Sequence, residues 1–362
     1  MRAPRPGIRR PLKNPLTLSL SKGVGVVRQA HHERALTVFQ QPIRSKTLRL
    51  GLAGAVTVVL ALTSPSLFRD PSVDDRADGR ALASISGRIL FGHAGDVWVA
   101  EAGGLYPLTQ GGRYWGQPDW APDGTQVVLV GWGQNATDLF VVGEDGSGLR
   151  QLTRSQQRRL SDNDWIFSPR WSPDGGLIAF LADRSTFYPM LWTMRPDGTG
   201  PRALLQPRNS LDAVDTFAWS PDGARIAATR FDNATSQIWV LELSAPARGR
   251  AITSEPGGAF DPSWSPDGSQ IAYAAREGRR TVIKVIDAQG GAPTTVVQTD
   301  LARSPEWSPS GTALAYVALQ GRDFEMFAVD LTERDGRLTA SRPNQLTSQF
   351  GVDATSGLSW GP

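Results

Sequence analysis

Residues 262–274 read PSWSPDGSQIAYA, and four further stretches repeat the pattern. They are PDWAPDGTQVVLV (118–130), PRWSPDGGLIAFL (169–181), FAWSPDGARIAAT (217–229) and PEWSPSGTALAYV (305–317). Their tryptophans, Trp120, Trp171, Trp219, Trp264 and Trp307, lie 51, 48, 45 and 43 residues apart, and a truncated copy, LSWGP, ends the chain with Trp360, 53 residues further on. Each copy is legible physically. A short strand runs up to the tryptophan. In S-P-D-G, proline presets φ, aspartate bonds back to the backbone and glycine takes the positive φ of a turn. A β-rich run such as QIAYA follows. A third strand comes next, as in DLFVV (138–142), MLWTM (190–194), QIWVL (237–241), VIKVI (282–286) and EMFAV (325–329). A weaker fourth strand closes the unit near Leu152–Thr153, Ile252–Thr253 and Leu346–Thr347. Four antiparallel strands in roughly 45 residues is the signature of a propeller blade.

The two ends of the repeat region complement one another. Residues 87–109, GRILFGHAGDVWVAEAGGLYPLT, form a blade without its first strand, and GLSWGP is a first strand with nothing after it. Joined, they complete a sixth blade and remove the open edge of the ring. The expected fold is therefore all-β: a six-bladed propeller over residues 86–362, closed by pairing of its terminal strands.

These W-S-P-D-G repeats resemble the TolB-like six-bladed β-propellers over about residues 85–362. The resemblance implies a propeller, usually exported in bacteria, that serves mainly as a binding platform. TolB proper carries an α/β domain before its propeller, where this chain has a linker, 69–85.

Composition narrows the chemistry. The chain has 362 residues, no cysteine and three histidines, His31, His32 and His93. Thiol catalysis, disulfides and cysteine-held metals are excluded. No G-x-G-x-x-G or P-loop pattern occurs, and the G-x-S-x-G string GLSWG (357–361) is the truncated repeat copy, read as a first strand and not as the strand-to-helix turn of a nucleophile elbow. The net charge of +3 hides an asymmetry: residues 1–50 hold 11 Lys or Arg and one acid, so the rest carries −7. A mildly acidic folded region argues against nucleic acid as a partner.

Residues 1–46 read as a disordered basic tail or an artefact of the assigned start. Residues 47–68 read as a signal peptide or membrane anchor, because LGLAGAVTVVLAL (50–62) is uncharged, follows Arg44, Lys46 and Arg49, and precedes Asp70, Asp74, Asp75 and Asp78. That charge order sends the remainder out of the cytoplasm, into a periplasmic or cell-surface location. Membrane contact is expected through this segment alone.

Residues repeated in every blade, the motif tryptophans and turn aspartates, are assigned to packing and turns. Residues that break the repeat are the candidates for binding. Trp115, Trp132 and Trp165, with Phe187 and Tyr188, fall in loops expected on one face of two neighbouring blades, and form a candidate protein- or peptide-binding patch. Asp162, Asp164, Asp212, Asp215, Asp261 and Asp353 fall on the same face and could hold a hard cation such as calcium, although no contiguous calcium loop occurs. No cofactor is otherwise expected. The favoured function is a non-enzymatic, monomeric binding scaffold for a protein or peptide, such as a cell-envelope component. The alternative is a polysaccharide lyase or hydrolase acting outside the cell through channel-mouth acids.

Overall fold

The computed structural model describes residues 79–362 except 158, 160–162, 185–187, 205–212, 233–234 and 245–248. The basic tail and the hydrophobic run 50–62 lie outside the described residues. No described helix is long and apolar enough to cross a membrane.

Six antiparallel sheets form the six expected blades. In blade II, Tyr114–Trp120, Gln126–Trp132, Thr137–Gly143 and Arg150–Gln151 pair in sequence order. Blades III to VI begin at Ile166–Trp171, Val214–Trp219, Ala259–Trp264 and Ala302–Trp307. Blade I takes its first strand from the C-terminus: Leu358–Gly361 pairs with Arg88–His93, with Trp360 opposite Ile89. First strands of successive blades contact one another all the way round, including Ala302–Trp307 against Leu358–Gly361. The ring is thus closed by the two ends of one chain, as the sequence leads one to expect.

The core lies between blades. The second strands are the most deeply buried, as in Val127–Val130, Ile178–Ala182 and Ile271–Ala275. Alternate residues of each face pack against opposite neighbours, because successive side chains of a strand point to opposite faces. Packing begins before residue 86: Ala81, Leu82 and Ile85 are buried in the cluster joining blades I and VI, and Gly79–Leu82 forms one helical turn there.

The S-P-D-G turns behave as read. Ser172 Oγ donates to Asp174 Oδ1 at 2.5 Å, the Gly176 amide donates to the same oxygen at 2.9 Å, and Gly175 has φ +69°. Ser220–Asp222 and Ser265–Asp267 repeat the contact. These hydrogen bonds, the serine hydroxyl first, hold Asp174, Asp222 and Asp267 below the usual carboxylate range.

Two devices organise the opposite face, where the second strand turns into the third. A threonine just past the fourth strand clips the start of the third. Thr153 Oγ1 accepts the Leu139 amide at 2.9 Å and donates to Asp138 at 2.9 Å. Thr109 with Asp96, Thr253 with Gln237 and Thr347 with Glu325 do the same. The first strand also carries a β-bulge in blades II to VI. At the bulge Gln117, Ser168, Asp261 and Ser304 take φ near +50°, between 48° and 53°. Such bulges re-aim side chains, and here they turn polar groups from one blade towards the next around the axis.

In blade VI the third strand is long, Asp323–Arg334, and folds into an additional hairpin with Arg337–Ala340 before the true outer strand, Asn344–Gln345.

Candidate binding face and central channel

The face bearing the bulges and threonine clips gathers the loops that lead into each blade and those that join second and third strands. The sequence candidates separate on it into core and surface. Trp115 is 5% exposed, donates its indole N–H to Gly111 O at 2.9 Å and packs edge-on against Phe140 at 5.0 Å. The expectation that it projects from a loop is corrected: Trp115 lies within the first strand of blade II, opposite Gly131, and faces blade I. Trp132 ends the second strand of that blade and is half-buried, edge-on to Tyr114 at 5.1 Å. Trp165 is half-buried and stacks on Phe167 at 6.4 Å, with its amide on Asp183. Tyr188 is half-buried, and Phe187 lies outside the described residues.

The acidic candidates do not assemble as a group. Asp162 and Asp212 lie outside the described residues. Asp164 pairs with Arg184 at 2.8 Å. Asp215 is exposed. Asp261 accepts the Ser304 amide at 3.2 Å and lies 3.7 Å from Arg303. Asp353 accepts the Tyr114 hydroxyl through one oxygen and the Thr355 amide and hydroxyl through the other. Among the described residues, no three His, Asp or Glu side chains converge as a metal site would require.

The axis holds a second polar arrangement that sequence reading passed over. The residues just before the repeat tryptophans are Asp119, Arg170, Ala218, Ser263, Glu306 and Ser359. Asp119 Oδ2 accepts the Trp171 amide at 2.7 Å, Ser359 Oγ accepts the Trp120 amide at 3.1 Å, and Ser263 Oγ accepts the Trp307 amide at 3.3 Å. Each of these bonds joins neighbouring blades. A parallel tier forms at the bulges, where Gln117, Ser356, Thr216 and Asp261 accept amides of adjacent blades. Arg170 donates to Pro118 O at 3.1 Å and lies 3.6 Å from Asp119.

Burial pushes the Glu306 carboxyl up to about 7, opposed by the field of Arg170 and reinforced by that of Asp119. Burial also raises Asp119, outweighing Arg170, the Trp171 amide and the Ser359 hydroxyl. The signal for these residues was present: the position before the tryptophan changes charge from blade to blade while its neighbours repeat.

Three comparisons bear on this geometry. Residues 188–332 match the family model described as "TolB beta propeller domain". The Tol-Pal system protein TolB of Anaeromyxobacter dehalogenans is 31% identical over 140 residues, covering 39% of this chain and 29% of that protein. The chain therefore spans less than a third of the length of that curated relative. Among solved structures, TolB from Acinetobacter baumannii superposes with a TM-score of 0.62 at 19% identity, covering 76% of this chain and 67% of the other. An oligogalacturonate lyase in complex with manganese superposes with a TM-score of 0.50 at 14% identity, covering 71% and 74%. At these identities the two solved structures share a fold with the chain, and fold alone does not carry function.

Proposed function

We propose that this TolB-like six-bladed β-propeller is a non-enzymatic scaffold that acts outside the cytoplasm and holds a protein or peptide on its looped face. One observation carries the reading. Tyr114, Trp132, Trp165 and Tyr188 are half-buried aromatics of blades II and III on that face, and none belongs to the residues that every blade repeats. Aromatic groups with one wet side, surrounded by polar residues, are the anchors that protein interfaces favour. The Tol-Pal relative supports a protein of the cell envelope as the partner class. The charge order around residues 50–62 supports export.

Capture tests the reading. A photo-crosslinking residue at position 188 in the native cell should trap a protein, and Trp132→Ala with Trp165→Ala should abolish trapping with little change in melting temperature. Loss of folding in that double variant would make both tryptophans core and end the proposal.

A second reading, an enzyme acting on an extracellular polymer, is favoured by one feature. Glu306 holds its proton to near neutral pH beside Asp119 and Arg170, as a general acid must. Hydrolysis or elimination of oligogalacturonate that is lost in Glu306→Gln, with the fold retained, would favour this reading over the first.

A further inference from the structure

Tyr114 and Trp132 stand opposite one another at the end of the blade II hairpin. Their ring centroids are 5.1 Å apart and their planes meet at 83°. Each ring lies against a glycine. A Cβ on Gly95 would sit 3.1 Å from the Tyr114 ring, and one on Gly116 would sit 3.3 Å from Trp132. Gly95 has φ +88°, a conformation that resists any side chain. Tyr114 thus sits at the seam between blades I and II, beside the C-terminal segment that closes the propeller, while Trp132 lies across Gly116 from Ser356 of that segment and packs on the blade II–III cluster.

That segment supplies a carboxylate. Asp353 follows Val352, which bridges to His93 of blade I, and its own amide donates to Gly92 O at 2.7 Å. Its Oδ1 is held by the Thr355 amide at 2.9 Å and the Thr355 hydroxyl at 2.7 Å. The Tyr114 hydroxyl donates to Oδ2. Burial, then the Asp353 charge, push that hydroxyl far above its ordinary value, so it stays a donor and fixes the carboxylate beside the Tyr114 ring. A carboxylate offers about four lone-pair sites, and three donors leave one for a ligand.

Two half-buried rings at right angles with a fixed carboxylate suit one ligand chemistry. The faces of aromatic rings attract cations, and an ammonium or guanidinium gains from both the rings and the acid. An anion would meet the carboxylate, and a purely apolar group would leave its charge unanswered. Lysine and arginine add an apolar stem that can lie along an aromatic wall. Residues 86–362 hold 24 Lys or Arg against 30 Asp or Glu, so the propeller's own field draws a cationic partner.

We infer that Tyr114, Trp132 and Asp353 form a receptor for a single lysine or arginine side chain presented by the protein partner. This inference rests on the looped face being the binding face. Asp353, a candidate cation ligand from sequence, keeps an electrostatic role here, for an organic cation in place of a metal.

The test uses the full-length protein carrying 5-fluorotryptophan, with the Trp132 signal assigned by its loss in Trp132→Phe. The probes are acetylated tetralysine amide and the matching tetraglutamate. Tetralysine should shift the Trp132 signal saturably, and tetraglutamate should leave it in place. By calorimetry, Asp353→Asn should weaken tetralysine about fivefold or more and Trp132→Leu about tenfold, as loss of a charge pair and of a ring face requires. The other eleven of the twelve tryptophan signals report folding of the Asp353→Asn variant. If they move, Tyr114→Phe, which removes only the hydroxyl contact, takes its place and should weaken binding about threefold. A Trp132 signal indifferent to tetralysine, or tetralysine binding unchanged in these variants, overturns the inference. Partner trapping at position 188 that persists in that event leaves the looped face intact as the binding face, so the two readings fail separately.

Discussion

The guanidinium of Arg170 in blade III lies 3.6 Å from the carboxylate of Asp119 in blade II, and that carboxylate also takes the Ser359 hydroxyl of the C-terminal strand at 2.9 Å. Three blades thus meet in one charge cluster at the axis, with Glu306 of blade VI in the field of both charges. The cluster makes stability depend on pH. Unfolded, Glu306 loses its proton near its ordinary value of 4.5; folded, it keeps the proton to about 7. Between those values the folded state binds more protons, so stability falls as pH rises through the window. Glu306→Gln should match the parent near pH 4 and exceed it at pH 8, by up to about 3 kcal/mol. Urea titrations at both pH values measure the difference. A parent whose stability rises between pH 5 and 7 while the variant stays flat would contradict the assignment.

Closure of the ring gives a second expectation. Ile89 pairs with Trp360 and Leu90 with Ser359, and Trp360 Nε1 donates to Ser86 O at 2.7 Å. Deleting residues 356–362 removes this strand together with Ser356 and Ser359, which tie blade I to blade II, and leaves two sheet edges unpaired. Soluble, folded protein should be lost, as gel filtration and circular dichroism would show. A truncated chain that melts like the parent excludes strand sharing as a source of stability.

The blades could be read from the sequence because each rests on local rules. Proline, aspartate and glycine make the turn, alternation makes the strands, and Trp360 in a truncated repeat copy points to a shared blade. The face was harder. Trp115 and Trp132 both break the repeat, but one packs against Phe140 and the other emerges beside Tyr114, and that depends on register within the hairpin. The axial cluster was harder still. Asp119, Arg170 and Glu306 are separated by 51 and 136 positions and become neighbours only when six blades close a ring. No local pattern announces such a contact, though the change of charge at one repeat position marks where to look.

Lys284 shows the same logic in blade V. Trp98, Phe140, Trp192, Trp239 and Phe327 hold the equivalent place in the other blades, each opposite the middle of its second strand. Lys284 instead bonds Glu255 at 3.0 Å and Glu277 at 2.8 Å, and Tyr273 donates to Glu255 at 2.8 Å. The side chains of Lys284 and Glu255 are only 12% and 10% exposed. Lys284→Met strands the buried Glu255 carboxylate and should cost about 3–5 kcal/mol, whereas Glu255→Gln leaves Lys284 its Glu277 partner and should cost less. The double variant should recover most of the loss. Additive losses in that double-mutant cycle would show that the two groups do not stabilise one another.

Export can be checked apart from binding. Residues 40–85, fused to a reporter active only outside the cytoplasm, should give signal. Val58→Arg with Leu60→Arg should silence it, since a central charge costs roughly 2.5–3.5 kcal/mol on insertion scales. A silent parent fusion removes the extracytoplasmic location from the proposal.

The tryptophans supply the sharpest contrast between fold and function. Trp115 is buried against Phe140 with its indole N–H satisfied, whereas Trp132 and Trp165 each keep a wet side. Trp115→Ala should leave a cavity and an unpaired Gly111 carbonyl, lowering stability by about 3–5 kcal/mol. Trp219 is only half-buried, unlike Trp120, Trp171, Trp264 and Trp307, so Trp219→Ala should cost less than Trp120→Ala. Trp132→Ala should cost about 1 kcal/mol or less in stability while removing about 2 kcal/mol or more of partner affinity, as interface anchors do. Denaturant midpoints and capture yields, measured on the same four variants, separate the two effects. If stability and capture fall together across all four, the looped face has no binding role that can be told from folding.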